Sequence, residues 1–124
     1  MARILVVDDE PLICKALRRI LEGAGHEVIT ASDGGEAWSH LEEESFDMIL
    51  TDLFMPGTDG IELLTRLTES EERPVVVAMS GGGRVVRNTD ALVDAAALGA
   101  DHVLEKPFTP DMVIATVTTA LRKS

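Results

Sequence analysis

Short apolar runs alternate with segments of helical periodicity along the whole 124-residue chain. The apolar runs predict five strands, at 3–8, 26–30, 47–51, 75–79 and 102–105. The periodic segments predict five helices, at 11–22, 34–43, 60–69, 89–98 and 110–123. The first, third and fourth strands are apolar at successive positions, which is typical of strands covered by helices on both faces. With right-handed crossovers, this pattern favours a three-layer α/β domain with a doubly wound parallel sheet.

The first predicted helix has clear boundaries. Pro11 suits a first helical turn, where its missing N–H would be unpaired anyway, and Gly23 and Gly25 end the helix. Cys14 is the single cysteine, which excludes an internal disulfide, and we expect it to be a buried thiol. Residues at 3.6-residue spacing predict an apolar stripe that faces the core: Leu12, Ala16, Leu17, Ile20 and Leu21.

The net charge is −11, from 22 acidic and 11 basic residues. Because nucleic acid binding depends on Lys and Arg neutralising phosphates, this domain alone is a poor candidate for it. A basic protein partner or a divalent cation fits the charge better. No apolar run approaches the ~18 residues of a membrane helix. The first apolar run is too short to be a signal peptide, and acidic residues follow it directly. We therefore expect a cytoplasmic domain without a membrane partner.

Polar residues follow the predicted strands at their carboxyl ends, where open α/β sheets bind ligands. They are Asp8, Asp9 and Glu10 after the first strand, Asp52 after the third, Ser80 after the fourth, and Glu105 and Lys106 at the fifth. Two carboxylates ~4 Å apart repel by about 4 kcal/mol at an effective dielectric of ~20, so such a cluster must protonate or bind a cation. Oxygen ligands without His or Cys favour Mg²⁺ over zinc. Each acid also has a purely structural interpretation when it is considered alone. Asp8 and Asp9 suit a helix N-terminus, and Asp52 suits a turn.

Four segments, ILVVDDE, MILTDLFMPGTDG, VVVAMS and VLEKPF, occur in an order and spacing that resemble the receiver domain of two-component response regulators. The resemblance covers essentially the whole chain. It implies a flavodoxin-like sheet of strand order 2-1-3-4-5 with five helices, in one receiver domain over residues 1–124 with no output domain in this chain. A stand-alone response regulator is favoured, although a fragment of a longer DNA-binding regulator would have the same sequence.

The resemblance also implies the chemistry of the acids. Asp52 would be the phosphoacceptor, taking a phosphoryl group from a phosphohistidine of a histidine kinase or His-phosphotransfer protein and forming an aspartyl phosphate. Asp9, Asp52 and the backbone carbonyl of Phe54 would hold Mg²⁺, with Asp8 acting through a bound water. The chain would be a signalling domain rather than an enzyme, with at most self-phosphorylation and slow autodephosphorylation.

Two further polar residues have implied roles in the same site. Ser80 would hydrogen-bond the phosphoryl group, and Lys106 would neutralise another of its oxygens. The Lys106-Pro107 peptide bond is expected to be cis, as in the Lys-Pro element of the family.

Two features depart from the family's pattern. Receivers usually carry Tyr or Phe three residues before the lysine, as a ring that swings inward on activation, and that position is Val103 here. The segment after Ser80 is also longer, with its extra length at 81–88. Gly81, Gly82 and the glycine that follows add roughly 0.5 to 1 kcal/mol each of ordering cost, so we predict a mobile loop. We hypothesise that phosphorylation reorders this loop and the fourth helix through Ser80.

Other classes of function stay open. An Asp-dependent Mg²⁺ phosphohydrolase would also use an aspartyl phosphate, but it commonly has an Asp-x-Asp motif on strand one and a capping insertion. The interpretation as a flavodoxin-like cofactor binder is less favoured, because acidic residues lie where the FMN phosphate would bind. The segment SGGGR, from Ser80 to Arg84, lacks the spacing of a dinucleotide or Walker loop. Dimerisation on phosphorylation and the identity of the downstream target also stay open.

Overall fold

The computed structural model describes residues 1–52, 66–67, 69, 73–81 and 100–123, without the side chains of residues 80, 81 and 123. Its strands are β1 (Arg3–Val7), β2 (Glu27–Ala31), β3 (Met48–Asp52), β4 (Val75–Gly81) and β5 (His102–Lys106). Its helices are α1 (Pro11–Gly23), α2 (Gly34–Glu43) and a C-terminal helix (Pro110–Lys123). Among the described residues, no helix combines the length and apolar character that a membrane crossing requires.

The five strands form one sheet in the order β2-β1-β3-β4-β5, and every neighbouring pair is parallel. This order confirms the predicted flavodoxin-like α/β fold. Of the predicted third helix, Arg66 and Leu67 are described and are helical. Glu69, the predicted last residue of that helix, lies in a turn. The other positions of that helix and the whole of the predicted fourth helix lie outside the described residues.

The sheet is buried on both faces, which accounts for the continuous apolar runs in its central strands. Ile4 and Val6 of β1 belong to a core cluster that includes residues of α1 and the C-terminal helix. Leu5 and Val7 belong to a second cluster, which includes Ala37 of α2 and Leu67. Because successive strand residues point to opposite faces, covering both faces requires apolar side chains at every position.

The buried face of α1 is not the predicted stripe. Leu17 and Leu21 are buried as predicted, but Leu12 is 80% exposed and Ala16 is also exposed. The buried positions follow Cys14 at intervals of three and four residues, and Leu12 and Ala16 lie on roughly the opposite side of a 3.6-residue helix. The prediction was wrong for Leu12 and Ala16 because the apolar residues of this helix cover a wide arc and the sheet buries only one edge of it.

Strand pairing extends β4 beyond its predicted end. Ser80 pairs with Glu105, and Gly81 pairs with Lys106. The prediction that the strand ends at Met79 and that a mobile loop begins at Gly81 was therefore wrong for these two positions. The parallel ladder with β5 outweighs the weak strand preference of glycine. Positions 82–88 of the predicted loop lie outside the described residues.

An ion pair joins the entrances of β4 and β5 at the other end of the sheet. The Arg73 guanidinium donates two hydrogen bonds to Asp101, at 2.8 and 3.1 Å. Asp101 Oδ2 also accepts the Val76 N–H at 2.8 Å. Burial raises the pKa of Asp101, but the hydrogen bonds from Arg73 and Val76 lower it by more. The pKa of this carboxyl is therefore below its ordinary value.

Candidate functional site

Three charged side chains meet at the carboxyl edge of the sheet. Asp8 directly follows β1, Asp52 is the last residue of β3, and Lys106 is the last residue of β5. Because all the strands are parallel, their carboxyl ends lie at one edge of the sheet, where the Lys106 side chain contacts Asp8, 98 positions earlier in the sequence. The exposed fractions of the three residues are 1%, 2% and 7%, so the charges are largely removed from bulk water.

The Lys106 ammonium contacts both buried carboxylates. Its Nζ lies 2.8 Å from Asp8 Oδ2 and 3.4 Å from Asp52 Oδ2. Burial by itself lowers the pKa of Lys106, but the hydrogen bond to Asp8 and the charges of Asp52 and Asp8 outweigh it, so the pKa lies above its ordinary value. Lys106 is therefore held as a cation between two anions.

Both oxygens of Asp8 have partners in this arrangement. Oδ2 accepts from Lys106, and Oδ1 accepts the backbone N–H of Glu10 at 2.9 Å. The Asp8 N–H in turn donates to the Ala31 carbonyl at 3.1 Å, which fixes the residue against β2. Sequence reasoning missed the Glu10 N–H, although an aspartate that bonds the N–H two residues later is a recognisable turn signal.

Asp8, Asp9 and Asp52 form the carboxylate cluster of the site. Each offers one oxygen, and these three oxygens lie within 4.8 Å of one another. Asp9 is only half-buried, whereas the other two are buried. Three carboxylate oxygens with one accessible member suit a hard divalent cation that keeps water in its coordination shell, which fits Mg²⁺.

The structure describes only some of the remaining predicted site residues. Ser80 and Gly81 belong to β4, next to the end of β5, but their side-chain environment is outside the described part of the chain. Phe54 and Gly82 lie outside the described residues. Val103 is half-buried, pairs with Ala78 and packs against the core cluster on the α2 face. The Lys106-Pro107 bond is cis, as expected from the resemblance.

A cavity of about 330 Å³ opens beside the acids. Its walls include Asp8, Asp9 and Cys14, together with Lys15 and Arg18 of α1. Burial and the neighbouring Asp8 charge raise the pKa of Cys14 to about 11, so its thiol is protonated at neutral pH. Cys14 is 9% exposed, which confirms the prediction of a buried thiol.

Comparison with known proteins gives concordant results. The family model described as "Response regulator receiver domain" matches residues 4–118. Response regulator GtcR of Aneurinibacillus migulanus is 34% identical over 121 residues, covering 98% of this chain and 48% of that protein. Transcriptional regulatory protein ResD of Bacillus subtilis is 37% identical over 122 residues, covering 98% and 49%. The chain thus spans about half the length of the curated relatives it matches.

Solved structures agree with the sequence relatives. The receiver domain of NtrX from Brucella abortus superposes with a TM-score of 0.88 at 34% identity, covering 98% of this chain and 99% of that one. Chemotaxis protein CheY4 of Vibrio cholerae superposes with a TM-score of 0.83 at 30% identity, covering 97% and 98%. The sheet order, the clustered acids and these matches lead to one conclusion: the chain belongs to the response regulator receiver domain family.

Proposed function

We propose that residues 1–124 act as a phosphoacceptor receiver domain and that Asp52 takes a phosphoryl group from the phosphohistidine of a partner protein. The observation that carries this proposal is the contact of the Lys106 ammonium with both Asp8 and Asp52, all three of which are buried at the strand edge. A carboxylate that is buried and has a neighbouring cation is well suited to gain an anionic group, because charge compensation is already in place.

The proposed transfer is a displacement at phosphorus. An oxygen of Asp52 forms the new bond to phosphorus while the bond from phosphorus to the donor imidazole nitrogen breaks. The electron pair of the broken bond returns to that imidazole. Lys106, which lies 3.4 Å from Asp52 Oδ2, would shift toward the oxygens of the incoming group and neutralise one of them. Ser80 belongs to β4, the strand next to β3, and its hydroxyl would donate to another oxygen.

Mg²⁺ fits the donor set of the site and would supply further compensation of the negative charge on the phosphoryl oxygens. Asp9 and Asp52, with the Phe54 carbonyl, are the proposed ligands. Asp8 has both oxygens engaged by Lys106 and Glu10, which supports a role through a bound water rather than direct ligation. The half-buried position of Asp9 leaves a route for the ion from solvent.

The proposed partner upstream is a histidine kinase or His-phosphotransfer protein, and the proposed setting is the cytoplasm. Downstream, Val103 leaves the chain without the usual aromatic ring at the position three before the lysine. We therefore assign the outgoing signal to the segment after Ser80 and the predicted fourth helix. Backbone hydrogen exchange with and without beryllofluoride tests this assignment. Unchanged protection across residues 81–97 would contradict it.

Incubation with acetyl phosphate tests the receiver function itself. In the presence of Mg²⁺, intact-mass spectrometry should find wild-type protein heavier by one phosphoryl group, and chelation of Mg²⁺ should abolish the adduct. The Asp52→Asn variant should remain unmodified under the same conditions. An adduct of equal yield on Asp52→Asn would overturn the assignment of Asp52. Rapid turnover of a small phosphate ester, instead of a single stable adduct, would favour a phosphohydrolase.

A further inference from the structure

Two buried side chains outside the acid cluster donate to the main chain of the acids. The Cys14 Sγ–H donates to the backbone carbonyl of Asp8, at 3.3 Å. The Thr51 hydroxyl donates to the backbone carbonyl of Asp52, at 3.1 Å. Cys14 is 9% exposed and Thr51 is fully buried, so water does not compete freely for either contact.

Each contact acts at the peptide unit that follows the acid-bearing residue. The Asp8 carbonyl belongs to the peptide that leads into Asp9, and the Asp52 carbonyl belongs to the peptide that leads out of β3. Fixing a carbonyl fixes the plane of its peptide, because the peptide bond is planar. The direction of that plane sets the paths of the chain on both sides and hence the aim of the carboxylates.

The sequence places these donors where apolar residues would otherwise suffice. Thr51 occupies a fully buried strand position between Val7 and Ala78 in the sheet, where valine would fill the same volume. Cys14 belongs to the core cluster that α1 shares with the sheet, and its Sγ also lies 3.9 Å from the Ala31 carbonyl. A polar group in such a position is stabilising only when it is hydrogen-bonded, and both donors are.

We infer that Cys14 and Thr51 are positioning residues of the acidic site, which hold the main-chain carbonyls of Asp8 and Asp52 so that the carboxylates converge on one cation. This inference rests on the proposed function, because it assumes that the acids bind Mg²⁺. The thiol is the weaker donor of the two, so its contribution is the smaller.

Isothermal titration of the full chain with Mg²⁺ tests the inference. Thr51→Val removes the hydroxyl at nearly constant volume, and Cys14→Ala removes the thiol. Both should weaken Mg²⁺ binding, roughly tenfold for Thr51→Val and about threefold for Cys14→Ala. Thr51→Ser and Cys14→Ser keep a donor and should restore affinity to within about twofold of wild type.

Urea unfolding of the same proteins separates positioning from general loss of stability. Val117→Ala is the matched control, since Val117 is fully buried in the core cluster that contains Cys14 but belongs to the C-terminal helix. It should lose stability and keep the wild-type affinity for Mg²⁺. Equal Mg²⁺ affinity in wild type, Thr51→Val and Cys14→Ala would overturn the inference and leave the proposed function intact. Wild-type protein that binds no Mg²⁺ would overturn both.

Discussion

The Lys106 ammonium lies closer to Asp8 than to Asp52, with Nζ to Oδ2 distances of 2.8 and 3.4 Å. The cation is therefore bound most tightly by an acid that the proposed chemistry does not modify. A second cation that enters the same cluster must share these carboxylates with Lys106. Under the proposed function, Mg²⁺ and the lysine would thus compete for negative charge, although both would be needed when the phosphoryl group arrives.

Lys106→Met should strengthen Mg²⁺ binding to the unphosphorylated chain. Removing a buried positive charge next to the cluster lowers the electrostatic cost of a second cation, by about 1 kcal/mol or more. Titration calorimetry should therefore give an affinity several times higher, while phosphorylation by acetyl phosphate slows. Lys15→Met removes an exposed lysine at the rim of the neighbouring cavity, and the effect should be much smaller because solvent screens that charge. Unchanged or weaker Mg²⁺ binding by Lys106→Met would contradict the competition.

Asp9→Asn should stabilise the chain when Mg²⁺ is absent. Asp9 offers an oxygen within 4.8 Å of those of Asp8 and Asp52, so neutralising it relieves carboxylate repulsion, which is worth about 1 kcal/mol because solvent partly screens this half-buried acid. Urea unfolding in a chelator should show the increase. Mg²⁺ at ten times its Kd should then stabilise the wild type by about 1.4 kcal/mol and the variant much less. Glu10→Gln, at an exposed neighbouring acid, should leave both results near those of the wild type.

Asp101→Asn should destabilise the chain at neutral pH by about 0.5–1.5 kcal/mol, because it removes the charge that Arg73 contacts through two hydrogen bonds. Solvent partly screens this ion pair, since the Asp101 side chain is 34% exposed. The pKa of this carboxyl is lowered from 3.8, so its contribution is full above pH 3.8 and is lost as the pH falls through the lower folded value.

Urea unfolding at pH 7 and at successively lower pH should show the wild type and Asp101→Asn converging. The exposed pair of Arg18 and Glu22 on α1 provides the control, because its side chains are 53% and 49% exposed. Glu22→Gln should change stability by less than about 0.5 kcal/mol. A cost for Asp101→Asn no larger than that of Glu22→Gln would show that the ion pair adds little.

His26 should make stability depend on pH in the mildly acidic range. Its Nδ1 accepts the Ala2 N–H at 3.1 Å, which requires the neutral imidazole. Burial, with a smaller effect of the N-terminal charge, lowers its pKa from 6.5. The unfolded chain therefore binds a proton first, and stability is full above pH 6.5 and decreases as the pH falls through the folded value.

His26→Asn provides the test, since the amide oxygen can accept the same N–H and does not titrate. Between pH 8 and pH 5 the free energy of unfolding should fall more for the wild type than for His26→Asn. Parallel pH profiles of the two proteins would contradict the prediction. His40→Asn, at a half-buried histidine on α2, controls for the general effect of removing an imidazole.

The sequence predicted the sheet and its central strands well, because a strand covered by helices on both faces carries a continuous apolar run, a pattern that few other arrangements of the chain produce. It predicted the ends of elements less well. Ser80 and Gly81 continue β4 through pairing with β5, a long-range contact that local glycine preference does not report. Leu12 and Cys14 lie at opposite edges of a wide apolar arc on α1, and only the position of the sheet decides which edge is buried.

The convergence of the acids and the lysine was predictable for a related reason. In a parallel sheet every strand ends at the same edge, so residues that end their strands must lie near one another. Which acid contacts Lys106 most closely was not predictable, since it depends on side-chain geometry to a fraction of an ångström. The hydrogen bonds from Cys14 and Thr51 to the main chain of the acids were not predictable either, because each residue belongs to an apolar pattern and its hydrogen bond is made to the backbone.

Asp52 is the proposed acceptor of the phosphoryl group, and the chemistry of aspartyl phosphates allows a direct test. Borohydride reduces an aspartyl phosphate to homoserine, so peptide mass spectrometry after acetyl phosphate, Mg²⁺ and borohydride locates the modified residue. We predict homoserine at position 52, in samples that received both the donor and Mg²⁺, and unmodified aspartate at positions 8 and 9. Homoserine at Asp8 or Asp9, or an adduct that survives on Asp52→Asn, would contradict the claim.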